Sequence, residues 1–192
     1  MPARYFNREM GFRIADFGTD SIFSKMGLRS GDLILVGPKL GETKSQYDEL
    51  VIMWKPVKLQ GWGSAVTSIN ARQVPTEKIS DWRTKVEGLV AGGSISPLPG
   101  QEVGLPGFPA LGAGAFPTEE GAGIFVAGRV TGGNQNNIRT NFSQNPGARI
   151  DGFTVLGAST GGGIIVNGYA EGLSIGNNRV TGNAGAFGGG IR

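Results

Sequence analysis

The sequence predicts an all-β solenoid, a fold in which short strands stack coil upon coil. The first observation behind this prediction is that apolar residues and glycines recur every 25 residues in the last third of the chain. A fixed period of this length is typical of repeats that bury their inward side chains against the next repeat. The three columns are Phe125, Ile150 and Ile175; Val130, Val155 and Val180; and Gly132, Gly157 and Gly182.

The second observation is the placement of glycine and proline. The 35 glycines and 10 prolines among 192 residues punctuate runs of aliphatic and β-branched residues. Glycine reaches positive φ without a Cβ clash, as tight turns between short strands require. The third observation is a set of short β-rich runs before residue 72, at 33–36, 50–54, 57–59 and 66–69.

Two segments then carry a resemblance to a known family. The pattern LILVGP…YDELVIMWKPVKLQG…INA, within residues 31–71, resembles the opening coils of right-handed parallel β-helix proteins. This pectate-lyase-like group includes pectin methylesterases and large bacterial surface proteins. The later GLSIGNNRVTGN, within residues 121–192, is similar to the repeat of that group with an Asn in the turn. The resemblance implies a right-handed parallel β-helix, but one such fold serves enzymes and adhesins alike.

The predicted organisation is a leader or N-terminal cap at residues 1–30 and a single β-helix domain at 31–192. An insertion at 72–120 interrupts the domain, and most of its second half is a Gly/Pro-rich loop at 94–117. Residues 39–46 also depart from the family pattern and are predicted to form a smaller inserted loop.

One α-helix is predicted inside the insertion, at residues 75–90. Thr76 is a candidate cap at its start, and Gly92 and Gly93 mark its end. Its apolar residues recur three or four positions apart, as on one face of a helix: Ile79, Trp82, Val86 and Leu89. We expect this helix to lie on the solenoid and to cover an exposed edge or end.

The last residues suggest an unfinished coil. The run Gly-Gly-Gly-Ile at 188–191 is in step with the same run at 161–164. Since a solenoid end exposes apolar side chains and strand edges, we expect further coils or end-to-end self-association to cover it.

Composition excludes several classes of function. The sequence has no cysteine and no histidine, which rules out thiol nucleophiles, disulfides, His-based triads and the usual zinc ligand sets. The net charge of +3 is small and scattered, so no nucleic-acid partner is predicted. There is neither an apolar run long enough to span a membrane nor a signal-peptide pattern at the start. The chain is therefore expected to be cytoplasmic or, as the resemblance favours, part of a longer extracellular or cell-surface protein.

Aromatic residues supply the first candidate site. Trp54, Trp62 and Trp82 are candidate platforms for sugar rings, because an indole offers an apolar face with a polar edge. The alternative is that Trp54 and Trp82 pack between helix and coil. Trp62 lies between two glycines and is expected to be the most exposed.

Carboxylates and arginines supply two further candidates. Asp151, Glu119, Glu120 and Glu171 are candidate calcium ligands, because calcium prefers oxygen donors. Asp151 with Arg149 or Arg179 is a candidate catalytic pair, and Arg129 or Arg149 is a candidate ligand for an acidic sugar. The alternative in both cases is solvated surface charge.

Two functions remain open at this stage. The leading hypothesis is a non-catalytic β-helix segment that binds a polysaccharide or a cell-surface glycan. The alternative is a calcium-assisted polysaccharide lyase, or a carbohydrate or ester hydrolase, that works without His or Cys chemistry. A cluster of carboxylates on one solvent-facing sheet favours the enzyme, whereas a smooth face with aromatic steps favours binding.

Overall fold

The structure, a computed structural model, describes residues 4–6, 29–98, 119–134 and 136–192. Most of the predicted leader and most of the Gly/Pro-rich loop lie outside these described residues. The strands are β1 (Arg4–Phe6), β2 (Leu33–Val36), β3 (Ser45–Tyr47), β4 (Val51–Met53), β5 (Lys58–Gly61), β6 (Thr67–Asn70), β7 (Ile124–Ala127), β8 (Val130–Asn134), β9 (Asn137–Thr140), β10 (Arg149–Asp151), β11 (Thr154–Leu156), β12 (Ile164–Asn167), β13 (Ser174–Gly176) and β14 (Arg179–Val180), and the helix is α1 (Glu77–Ala91).

Three parallel sheets organise the described part of the chain. The first sheet has the order β1-β2-β5-β10-β13, the second β14-β11-β6-β3 and the third β12-β7-β4. After β1, the chain passes through the first, second and third sheets in turn and then repeats that order. We call each passage through the three sheets a round. A parallel bridge joins Ile191 to Ile164 and places Ile191 beside the third sheet in the fourth round, which confirms the predicted alignment of the two Gly-Gly-Gly-Ile runs. A mostly β structure with parallel sheets and one helix is consistent with an all-β, solenoid-like class.

The main core lies between the three sheets. Buried residues from all three sheets form one apolar cluster, which includes Leu59, Ile150, Val155 and Ile164. The parallel register pairs Ile150 with Ile175 and Val155 with Val180, which confirms those two predicted pairs.

In each of the three predicted columns, the assignment of the first residue is wrong. Phe125 lies in the third sheet, where it pairs with Ile52 and Ile165 rather than with Ile150. Val130 and Gly132 lie in β8, which forms an antiparallel hairpin with β9. This hairpin is inserted between β7 and β10, so the 25-residue spacing does not extend back across it.

Asparagine side chains connect the third round to the fourth. The Nδ2 of Asn178 donates to the Ile150 carbonyl at 2.9 Å, and its Oδ1 accepts from the Phe153 amide at 2.9 Å. Asn183 bridges the Val155 carbonyl and the Ala158 amide in the same way, at 2.9 and 3.0 Å. Each of these two side chains therefore joins the backbone of one round to that of the next.

The helix α1 covers the outer face of the third sheet. Its buried residues Trp82, Val86 and Leu89 join a second apolar cluster with Phe125 and Ile165. The third sheet is therefore buried on both faces, by the main core and by α1. The predicted helix is confirmed, but it covers a sheet face rather than an end.

The predicted capping role of the Thr76 side chain is wrong. Its side chain makes no capping hydrogen bond, and its backbone has helical angles, φ −62° and ψ −24°. A side-chain cap needs a non-helical backbone at that residue, so the hydroxyl is not aimed at the first free amides.

The predicted inserted loop at residues 39–46 overlaps strand β3, which pairs with β6 in parallel. The buried side chains of β3 are Ser45 and Tyr47 rather than aliphatic residues. The Lys39 amide donates to Ser45 Oγ at 2.7 Å, and the Tyr47 hydroxyl donates to the Gly37 carbonyl at 2.6 Å. These bonds satisfy buried hydroxyls in a strand that has no hydrophobic pattern.

Candidate functional site

Strands β5 and β10 present polar and charged side chains on the outer face of the first sheet. The register aligns Arg149 with Lys58 in one column and Asp151 with Gln60 in the next. Because side chains alternate along a strand, these residues lie on the face opposite to the buried Ile150. The structure thus brings two of the predicted site residues, Arg149 and Asp151, to one surface.

A groove of about 440 Å³ lies where this face meets the turns that lead into the second sheet. All four rounds contribute to it, because successive turns stack on one another. Its lining residues are Leu35, Gln60, Gly61, Trp62, Gly63, Ser64, Asp151, Gly152 and Asn177.

Trp62 is the aromatic residue among the described residues that line the groove. It is 57% exposed, as its position between two glycines predicts. Its amide donates to the Val36 carbonyl and to Thr67 Oγ1, each at 3.2 Å, which fixes the backbone. The indole lies against Gly37, where an added methyl group would be only 3.1 Å from Cε2. Because Gly37 has no side chain, the ring can pack against its backbone.

Asp151 is held beside Trp62 by the stacking of turns. Asn177 donates from Nδ2 to Asp151 Oδ2 at 2.9 Å. The carbonyl of the next residue, Gly152, accepts from the Gly63 amide at 3.2 Å. The turn that carries the carboxylate and the turn that carries the indole are thus joined directly.

Arg149 is partly buried next to the groove. Its guanidinium Nη2 donates to Gln60 Oε1, whereas its Nε is buried without a hydrogen-bond partner among the described residues. Arg179 lies in the second sheet, opposite Thr154, and Arg129 lies just before the hairpin, where its amide donates to Asn141 Oδ1 at 2.8 Å. Neither Arg129 nor Arg179 lines the groove.

The predicted calcium ligands are not brought together. Glu119 pairs with Arg192 at 2.8 Å, and Glu120 accepts two hydrogen bonds from Arg83, one of them at 2.7 Å. The bond to Glu120 and its charge raise the pKa of Arg83. Within the described ranges, no three acidic residues form a group that could hold a metal ion, and this includes Asp151 and Glu171.

The other two tryptophans pack as the structural alternative predicts. Trp82 is 3% exposed, and its ring centroid lies 5.3 Å from that of Phe125 in an edge-to-face contact. Trp54 is partly buried against the second apolar cluster, and Lys55 Nζ lies 4.7 Å from its ring centroid. Partial burial lowers the pKa of Lys55, and the charge of Asp32 opposes that shift.

Sequence reasoning missed Gln60, Ser64 and Asn177 as groove residues. Gln60 and Ser64 flank the Gly-Trp-Gly segment, so proximity in sequence to Trp62 was the available signal. Asn177 has a positive φ of 54° and lies in the turn that stacks on Gly152. The available signal for Asn177 was the 25-residue spacing, because the pairing of Ile150 with Ile175 sets residue 177 beside Gly152.

Comparisons with models of protein families, with curated proteins and with solved structures find no match. The resemblance to the pectate-lyase-like group therefore rests on the quoted sequence patterns. In the part of the chain that the structure describes, no helix is long and apolar enough to cross a membrane.

Proposed function

We propose that the chain is a segment of a right-handed parallel β-helix whose groove binds a carbohydrate without cleaving it, outside the cell or at its surface. The repeated passage of the chain through three parallel sheets supports the β-helix. Crossover connections between parallel strands are almost always right-handed in proteins, which supports the handedness.

The exposed indole of Trp62 in the groove is the observation that carries the proposed binding. The apolar C–H face of a pyranose ring packs on an aromatic face, while its hydroxyls need fixed polar partners. Asp151 and Gln60 supply such partners and are themselves oriented, by Asn177 and Arg149 respectively. An exposed indole beside polar groups that are held in fixed orientations suits the binding of a sugar.

The lining of the groove favours binding over glycoside hydrolysis. Glycoside hydrolysis generally uses two carboxylates that flank the scissile bond. Among the described residues that line the groove, Asp151 is the one carboxylate. The position of Arg149 beside Asp151 is the observation that favours the enzyme alternative, although its guanidinium is engaged by Gln60.

Replacement of Trp62 by alanine is expected to weaken binding of the bound glycan about tenfold or more, which corresponds to about 1.4 kcal/mol. A glycan array identifies the ligand for the wild-type chain, and isothermal titration measures its affinity for each variant. The matched control is Phe187→Ala, because Phe187 is also exposed, at 70%, but does not line the groove.

Equal affinities of the wild type and the Trp62→Ala variant would show that the groove is not the binding site. The titrations are repeated with and without calcium, and the mixtures are checked for shortened or unsaturated sugar products. Release of such products would support the lyase or hydrolase alternative instead.

A further inference from the structure

We infer that the groove selects a neutral hexopyranose unit over the corresponding uronic acid unit. This inference rests on the proposed function and concerns which sugar the same groove accepts. It is carried by the charge of the groove and by the distribution of hydrogen-bond partners around Asp151.

Asp151 is the one charged side chain among the described residues of the groove lining. Its Oδ2 accepts from Asn177, and no partner from the described residues reaches its Oδ1. A carboxylate oxygen in this position accepts hydrogen bonds from sugar hydroxyls. The same oxygen repels the carboxylate of a uronic acid, and this repulsion is strongest where the ligand excludes water.

The neighbouring cations do not reverse this preference. Arg149 and Lys58 lie in the adjacent column of the first sheet, outside the groove lining. Arg149 is also partly buried, and it donates to Gln60. Since neither cation is among the lining residues, we expect Asp151 to dominate the electrostatic field that an acidic sugar meets in the groove.

Trp62 and Asp151 line the same groove, and the backbone that carries them is joined by a hydrogen bond. The hydrogen bond from the Gly63 amide to the Gly152 carbonyl fixes the two turns relative to each other. The contact of the indole with Gly37 restricts the position of the ring. We therefore expect a pyranose that packs on this indole to present edge hydroxyls to Asp151.

The test uses tetrasaccharides of glucose, galactose and mannose, each paired with the tetramer of its own uronic acid. We expect the wild-type chain to bind at least one neutral tetramer about tenfold more tightly than its uronate partner. In Asp151→Asn, which keeps an acceptor oxygen but removes the charge, the ratio is expected to fall to about threefold or less. The matched control is Asp81→Asn, an exposed position on α1, where the ratio stays as in the wild type.

Salt gives a second measurement that needs no variant. Raising the ionic strength from about 0.05 M to about 1 M screens the repulsion, so uronate binding is expected to improve while neutral binding stays constant. This arm tests the inference even where Asp151→Asn fails to fold.

The outcomes separate the inference from the proposed function. Tighter binding of a uronate than of its neutral partner by the wild type would overturn the inference alone. So would an unchanged ratio in folded Asp151→Asn, or uronate binding that weakens with salt. No binding of any of the six tetramers would count against the proposed function and, with it, the inference.

Discussion

Replacement of Phe125 by alanine is expected to lower the free energy of unfolding by about 3 to 5 kcal/mol, which chemical denaturation measures. Phe125 is fully buried between the third sheet and α1, where it pairs with Ile52 and Ile165 and contacts Trp82. Truncation removes the contact area of the ring and leaves a cavity that the rigid sheet on one side cannot close. The loss of the edge-to-face contact with Trp82 adds to the cost.

The matched control for this prediction is Phe187→Ala, since Phe187 is 70% exposed. We expect its free energy of unfolding to lie within about 0.5 kcal/mol of the wild-type value. A similar value for Phe125→Ala would mean that α1 does not cover the third sheet, because an uncovered Phe125 has little buried area to lose.

Replacement of Ile150 by alanine is expected to cost about 2 to 5 kcal/mol in the same measurement. Ile150 is fully buried and lies between Leu59 and Ile175 in the first sheet. Ile175 occupies the same column one round later but is only partly buried, so Ile175→Ala is expected to cost less. The pair is a matched comparison, because both changes remove the same atoms from successive strands.

An equal or larger loss for Ile175→Ala would contradict the assigned order of rounds, because it would place Ile175 deeper in the core than Ile150. A loss below about 0.5 kcal/mol for Ile150→Ala would contradict its burial between the three sheets.

The sequence predicted the fold best where successive rounds have equal length. Rounds three and four are 25 residues apart along β10 and β13, so Ile150 and Ile175 could be paired by spacing alone. Phe125 could not be placed in this way, because the spacing that relates it to Ile150 crosses the β8–β9 hairpin and a change of sheet. Strand β3 was missed because hydrogen-bonded hydroxyls, rather than aliphatic side chains, fill its inward positions.

The candidate site was predictable only in part for a related reason. Trp62 could be singled out by its flanking glycines, and Asp151 and Arg149 by their charge beside a β-rich run. The calcium hypothesis grouped Glu119 and Glu120 with Asp151 by residue type, whereas the structure pairs both glutamates with arginines. Ion pairs between residues as distant as 119 and 192 depend on the complete stacking of rounds, which a linear sequence pattern does not contain.

The sheets also explain why a groove forms where it does. In rounds three and four, the chain turns from the first sheet into the second through two residues, and these turns use glycine or asparagine at positive φ, as at Gly152 and Asn177. The wider turn between β5 and β6 carries Trp62 outward beside them. Because turns of unequal length stack on one another, they leave a concave surface that the Trp62 side chain lines.

The most direct measurement of the proposed function is a two-dimensional ¹H–¹⁵N nuclear magnetic resonance titration with the neutral tetrasaccharide that binds most tightly. The indole signal of Trp62 is assigned by its absence in Trp62→Phe. We expect this signal and the amides of Gly63, Gly152 and Asn177 to shift together, while the amides of α1 and of the β8–β9 hairpin stay unchanged. Shifts confined to α1 or to the hairpin, with the Trp62 signal unmoved at saturation, would contradict binding in the groove.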